Sequence, residues 1–302
     1  ITYTQWLNET GTLEGDLTVT KLDEDRFFVV VTDTMHRHAE TWMKRNIPDT
    51  AHAFVTDVTS AYGQINIQGP RSRELLQTLT SVNLSNAAFP FRTAREIDIG
   101  YARVLCTRIT YLGELGYELF IPSEQAVHVY DTLVKAGEAY GLRHAGLKAL
   151  ASLRMEKGYR DYGHDMDNTD NVFEAGLGFA VDLRKPGGFI GRDAVLRQKA
   201  GGPPKRRLVQ VLLTDPGPMM FHAEIVRRDG TAVGYIRAAS YGHTLGGAVG
   251  LAMIEAGEPA SASVDAAYLS SGNWEVEIAN KLYPAVLSLK PMYDPEMKKI
   301  RA

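Results

Sequence analysis

Polar and apolar residues alternate from the start of the chain. Thr2-Tyr-Thr-Gln-Trp-Leu reads as a strand running into a Gly-containing turn, Asn8-Glu-Thr-Gly11. Beyond it, Leu13, Gly15, Leu17 and Val19 fall on one strand face, and Glu14, Asp16, Thr18 and Thr20 on the other. The pattern predicts a hairpin over residues 1–32, with the second strand at 13–22 and a further strand at 27–31. Residues 34–46 read as a helix that ends before Pro48, and 53–58 and 62–68 as short strands. Gly69-Pro70 opens a helix with Leu75, Leu76 and Leu79 on one face. Strands at 102–110 and 117–121 form a second predicted hairpin across Leu112-Gly-Glu-Leu-Gly116. Ser123 is placed as N-cap of a helix over 124–140 that Gly141 terminates, and another helix is predicted over 146–157.

The pattern changes at Ala200-Gly-Gly-Pro-Pro204, the best linker candidate. Only short strands follow, at 207–213, 223–227, 233–238, 247–254, 274–278 and 285–290, punctuated by turn residues. This argues for a small β-barrel or sandwich. The expected organisation is α+β over residues 1–200, with antiparallel sheets and packed helices, then a small all-β domain over 205–302. There is no internal repeat or low-complexity tract.

Bulk properties narrow the function without naming it. The 302 residues carry a formal net charge of −3 with Lys and Arg scattered, which points away from nucleic acid and anionic membranes and toward a small-molecule partner. No apolar run approaches the ~20 residues of a membrane helix. Cys106 is the only cysteine, so an internal disulfide is excluded; its strand-like setting reads as a small buried hydrophobe. The chain opens at Ile1 in mid-strand without a visible targeting segment, and the expectation is that further sequence precedes it.

Three clusters carry candidate chemistry. Asp16 emerges beside Gly15, where a ligand or backbone can approach closely; on pattern alone, a solvated polar face is the favoured reading. Glu118 lies between Tyr117 and Leu119 in a strand that otherwise reads as core, so its carboxylate needs a donor. Arg108 across the hairpin is one candidate. A ligand with two parallel N–H donors, such as a pterin with its ring N–H and exocyclic amine, is the other. The segment from Arg154 to Asp167 runs from a helix into a dense polar and aromatic loop. His164, Asp165 and Asp167 there fit no zinc or calcium spacing. Ala175-Gly-Leu-Gly178 and His243-Thr-Leu-Gly-Gly247 match neither a dinucleotide fingerprint nor a P-loop.

Taken in order, Asn8-Glu…Gly11…Asp16-Leu, Tyr111-Leu-Gly-Glu-Leu-Gly-Tyr-Glu118, Ser152-Leu-Arg-Met-Glu156, Tyr162-Gly-His-Asp-Met-Asp167, Glu174-Ala-Gly-Leu-Gly178 and Phe189-Ile-Gly-Arg192 resemble the glycine-cleavage T-protein (aminomethyltransferase) family. The opening strands and Tyr111-Leu-Gly-Glu-Leu-Gly116 look closest to its fusion members, the sarcosine and dimethylglycine dehydrogenases. The resemblance covers nearly the whole chain.

It implies a folate-binding domain with a C-terminal β-barrel, acting with tetrahydrofolate and a one-carbon donor. In the fusion members an FAD-binding domain precedes this region, so FAD is expected only in a missing N-terminal part. Asp16 matches the family's essential aspartate near the folate nitrogens. Tyr3, Tyr111 and Glu118 match folate-site positions, with Glu114 and Tyr159 beside them. Leu150-Ala151 stands where the T-protein has an Arg-Asp pair, and Glu14-Gly15-Asp16 replaces its double acidic pair. Loss of that arginine fits a dehydrogenase-type domain that meets no lipoyl carrier. The implied activity is formation of 5,10-methylenetetrahydrofolate within an N-methyl-amine dehydrogenase, cytoplasmic in a bacterium or in the mitochondrial matrix of a eukaryote. The rivals are a non-catalytic regulatory module, of the pyruvate dehydrogenase phosphatase regulatory subunit type, and a folate-dependent O- or S-demethylase.

Overall fold

The alternating segments near the start form strands β1 (Thr2–Leu7), β2 (Leu13–Lys21) and β3 (Phe27–Val31), which hydrogen-bond in that order. These and all later elements come from a computed structural model that describes residues 1–257, 259 and 262–302. Helix α1 (His36–Arg45) follows, as its periodicity predicts. Residues 53–58 form no strand, contrary to expectation. Phe54 there is 81% exposed, so the alternation has nothing to bury against and no ladder to join.

By contacts the chain divides into two units, one of residues 1–2, 18–146 and 296–302, the other of 3–17 and 147–295. The first is built on an antiparallel sheet of β4 (Tyr62–Gln68), β5 (Ala94–Ile99), β6 (Ala102–Thr107) and β7 (Gly116–Pro122), in the order β4-β7-β6-β5. Helices α2 (Ser72–Gln77) and α3 (Ala126–Gly137) supply Leu75, Leu76, Val129 and Leu133 to a core shared with Ile97, Val104, Tyr117, Leu119 and Ile121. Each such fully buried aliphatic side chain contributes roughly 1.5–3 kcal/mol.

Two local expectations fail in this unit. β5 went unpredicted although Glu96-Ile-Asp-Ile99 alternates, because it is short and its outer face is charged. Ser123 does not cap α3; its hydroxyl donates to the Ser60 carbonyl at 2.7 Å, and a short 3-10 turn leads into the helix at Ala126. Gly141 does end the segment, at φ +70°.

In the second unit, α4 (Leu147–Glu156) and α5 (Arg192–Ala200) precede a closed barrel. Its strands are β8 (Arg206–Leu213), β9 (Ile225–Arg228), β10 (Thr231–Gly242), β11 (Gly247–Glu255), β12 (Trp274–Ile278) and β13 (Lys281–Ser288), closing in the order β10-β11-β8-β13-β12-β9. Closure leaves no sheet edge unpaired. Short helix α6 (Ala266–Leu269) lies between β11 and β12 in the chain, and α7 (Lys298–Arg301) belongs to the first unit. Val209, Val211, Ile236, Ala252 and Val276 fill the barrel, while Leu208, Val249, Leu251 and Met253 on its outer face pack with Met155 of α4. No helix among the described residues is long and apolar enough to cross a membrane.

Candidate active site

Asp16 is positioned by a network that starts in the barrel. The β10–β11 register shifts between Ile236 and Ala238, and this bulge takes Arg237 out of the ladder. The buried Arg237 guanidinium donates to both carboxylate oxygens of Asp170, at 3.1 and 3.4 Å, and Arg206 adds a third bond at 2.8 Å. Asp170 in turn offers its carbonyl to the Leu13 N–H at 3.0 Å, where β2 begins. Leu7 and Leu13 pack with Met166, Val172, Leu177 and Val195. The Asn8–Gly11 turn lies so close to α5 that a side chain at Gly11, already at φ +76°, would meet Ala194 and Gln198. The hairpin that carries Asp16 is thereby held at its turn and at its second strand.

The Tyr3 hydroxyl donates to Asp16 Oδ2 at 3.1 Å. Asp16 and its neighbour Glu14 are half-buried, so the solvated face favoured by the pattern is not what the fold makes. Desolvation pushes the Asp16 carboxyl up to about 6; the Tyr3 bond opposes the rise, while the charges of Asp161 and Asp165 add to it. Burial and the adjacent carboxylate hold the Tyr3 phenol well above its ordinary value, so it stays protonated and donates. Gln5, two residues along the same strand face, also lies near the phenol, yet neither of its buried amide atoms makes a hydrogen bond among the described residues. The pair is a carboxylate poised to exchange a proton near neutrality, oriented by a phenol.

Glu118 sits on the sheet face opposite the core of the first unit. The register sets it between Asn66 of β4 and Thr107 of β6, with Phe120 two residues along packed against Phe28 at 5.0 Å. The Arg108 partner considered from the sequence is absent. That guanidinium is buried and donates to the carbonyls of Phe89, at 2.7 Å, and Ala302, at 3.1 Å. The Glu118 carbonyl accepts from the Thr107 hydroxyl at 3.4 Å, but its carboxylate makes no hydrogen bond or ion pair among the described residues, and burial pushes it up to about 7. A half-buried carboxylate with no internal donor suits a ligand that brings donors.

The other predicted residues divide between the units. Tyr111 and Glu114 are half-buried in the loop between β6 and β7, in the unit that holds Glu118. Tyr159 belongs with Tyr3 and Asp16. Its carbonyl accepts from Arg154 at 3.0 Å, and burial with the nearby Asp294 charge pushes its phenol up to about 12.

The Ser152–Asp167 motif proves to be mostly framework. Ser152 donates to the Tyr241 carbonyl, Arg154 pairs with buried Asp165 at 2.6 Å, and Glu156 accepts from the N–H groups of Thr244 and Leu245 at 2.7 and 2.9 Å. Asp165 therefore faces arginine, while His164 is exposed beside Asp161 at 3.3 Å. Asp161 and Arg160, whose charges reach Asp16 and Tyr3, were not singled out from the sequence; their place in the dense polar loop was the available signal.

Residues 1–185 match the GCVT N-terminal domain, and residues 206–294 match the glycine cleavage T-protein C-terminal barrel domain. The chain belongs to the glycine-cleavage T-protein family. It is 40% identical over 299 residues to 4-methylaminobutanoate oxidase (formaldehyde-forming) of Paenarthrobacter nicotinovorans, covering 99% of this chain and 35% of that protein. It is 34% identical over 313 residues to human mitochondrial sarcosine dehydrogenase, covering 99% of this chain and 34% of that protein. The chain thus spans about a third of the length of these curated relatives. Glycine cleavage system aminomethyltransferase T of Bartonella henselae has the same fold, with a TM-score of 0.79 at 21% identity over 97% of this chain and 76% of that one. The expected α+β T-protein fold with a C-terminal barrel is what this family member adopts.

Proposed function

We propose that this chain is the tetrahydrofolate-dependent one-carbon-transfer region of an FAD-linked N-methyl-amine dehydrogenase of the sarcosine or dimethylglycine type, forming 5,10-methylenetetrahydrofolate. The observation that carries the reading is the half-buried Glu118 carboxylate, which has no donor among the described residues in a sheet whose buried positions are apolar apart from Thr107 beside it. Its geometry suits the two parallel N–H donors of a pterin, as a carboxylate suits a guanidinium. The family supports the folate, and the likeness to two amine-oxidising enzymes supports the amine-derived one-carbon unit. FAD is assigned to a partner domain of the same longer protein; this chain's residues take no part in the oxidation.

Tetrahydrofolate supplies the nitrogen nucleophile that captures an iminium or the formaldehyde derived from it. In this reading Glu118 anchors the pterin, with Tyr111, Glu114 and Tyr159 as further folate contacts. Two C–N bonds to the folate would form while the amine of the iminium, or the oxygen of formaldehyde as water, leaves. Asp16 would take up a proton released at an attacking nitrogen and pass it to that leaving group, with Tyr3 holding the carboxylate in place. Positioning is the larger contribution, because tetrahydrofolate reacts with formaldehyde unaided.

The test is calorimetric titration of tetrahydrofolate onto the chain and onto Glu118→Gln. Loss of a charge-assisted pair, worth about 1.5–3 kcal/mol, weakens binding by roughly 10- to 150-fold. Equal affinity in the variant would remove Glu118 from the site.

A further inference from the structure

None of the residues assigned to one-carbon chemistry lines a further cleft in the second unit. Its volume is about 470 Å³, within the range of small-molecule sites, and Phe173, Phe179, Lys199, Pro203, Pro204 and Arg207 line it. Arg207, at the start of β8, is the unusual member. Several other arginines of this unit face carboxylates: Arg154 faces Asp165, Arg237 faces Asp170, Arg206 faces Asp170 and Glu174, and Arg227 faces Glu277, while Arg160 donates to the Ala175 and Gly158 carbonyls. No carboxylate of the described residues pairs with Arg207, and its buried Nε has no acceptor among them. Burial lowers its pKa with no compensating charge, and its positive charge is felt by Arg160.

The walls are as unexplained by the fold as the cation is. Phe179 is 79% exposed. Phe173 is brought in by Gly178, where a Cβ would sit about 3.1 Å from its ring. Gly176, at φ +71°, leaves room for Arg160, which a side chain there would meet at 2.9 Å. The Leu208 N–H donates to the Glu174 carbonyl at 2.7 Å, fixing the start of β8 against this turn. Lys199, from the last turn of α5, adds a second positive charge, and Pro203 and Pro204 give flat apolar surface.

We infer that this cleft is a binding site for a small aromatic carboxylate, with Arg207 and Lys199 taking the anion and Phe173 and Phe179 flanking the ring. A guanidinium presents a planar fork that matches a carboxylate, and the adjacent rings favour a flat apolar body over a compact inorganic anion.

Isothermal titration of benzoate onto the chain tests this, with benzamide and inorganic phosphate as controls. The expected result is saturable 1:1 benzoate binding, at least tenfold tighter than either control. Arg207→Met should weaken it at least tenfold and Phe179→Ala at least threefold, with the thermal midpoint of Phe179→Ala unchanged because that ring is exposed. Absence of saturable benzoate binding overturns the inference. So does benzamide or phosphate binding equally well, or benzoate affinity retained in Arg207→Met. If Arg207→Met fails to fold, Phe179→Ala decides, and wild-type affinity in that variant sinks the site.

Discussion

Two kinds of carboxylate removed from solvent occur in this molecule, and although desolvation raises Asp165 and Asp170 as it raises Asp16 and Glu118, the two kinds differ in the partners they have. Asp170, Asp165 and Glu156 are saturated: Asp170 takes two arginines, Asp165 takes Arg154 and the Asp161 N–H, and Glu156 takes two backbone N–H groups. Asp16 and Glu118 are not. One has a single phenol and the other has no donor among the described residues, and both are pushed upward by desolvation, to about 6 and about 7. The first kind holds loops to the barrel. In the proposed reading the second holds charge in reserve for the folate and its one-carbon unit. Both kinds lie in motifs that mark the family, so a motif residue's chemical role is read from its partners.

The contrast breaks most visibly at Asp170. Asp170→Ala leaves Arg237 and Arg206 without their carboxylate and is expected to cost about 3–5 kcal/mol, measured by urea unfolding. If stability barely moves, the saturated class is not framework.

Asp16→Asn is the mirror case. Stability should stay within about 1 kcal/mol, since a partly desolvated charge is removed, while folate-dependent turnover of the full-length protein falls about a hundredfold or more. Unchanged turnover would take the proton-transfer role from Asp16.

Tyr3→Phe sharpens the picture within the reserve class. Removing the hydrogen bond that favours the Asp16 carboxylate raises its pKa further, so the acid limb of the turnover–pH profile should move upward from near 6 by up to about one unit. A limb that stays put would assign it to another group.

The remaining effect is a slope. Glu118 binds its proton more tightly folded, about 7, than its ordinary 4.5, so between these values the folded state carries more protons than the unfolded one. Its contribution to stability therefore falls as pH rises from about 4.5 to about 7 and is level beyond. Glu118→Gln should flatten that portion of the stability–pH curve, read by thermal melts across the range, whereas Glu156→Gln should lower stability by about 1–3 kcal/mol.

Much of the fold was written in local pattern. Period-two alternation located β1, β2, β4, β7 and the barrel strands, and Gly141 marked the end of the α3 segment. The failures share one cause. Residues 53–58 alternate without a neighbour to pair with, and Glu96-Ile-Asp-Ile99 pairs although its outward face looks like a loop. Pairing is a property of two segments, and a single segment's sequence does not contain it. Ser123 likewise has the chemistry of a cap and spends it on a distant carbonyl.

What the sequence determined by itself is the order of elements, the family motifs and the presence of carboxylates in unusual settings, because these depend on spacing and residue type alone. What only the tertiary structure decided is which carboxylates are satisfied. Arg108 lies ten residues from Glu118 yet donates to the carbonyls of Phe89 and Ala302, while Asp170 is met by arginines 36 and 67 residues away. Satisfaction of a buried charge depends on where distant backbone and guanidinium groups come to rest, and that is fixed only when the sheets and the barrel close.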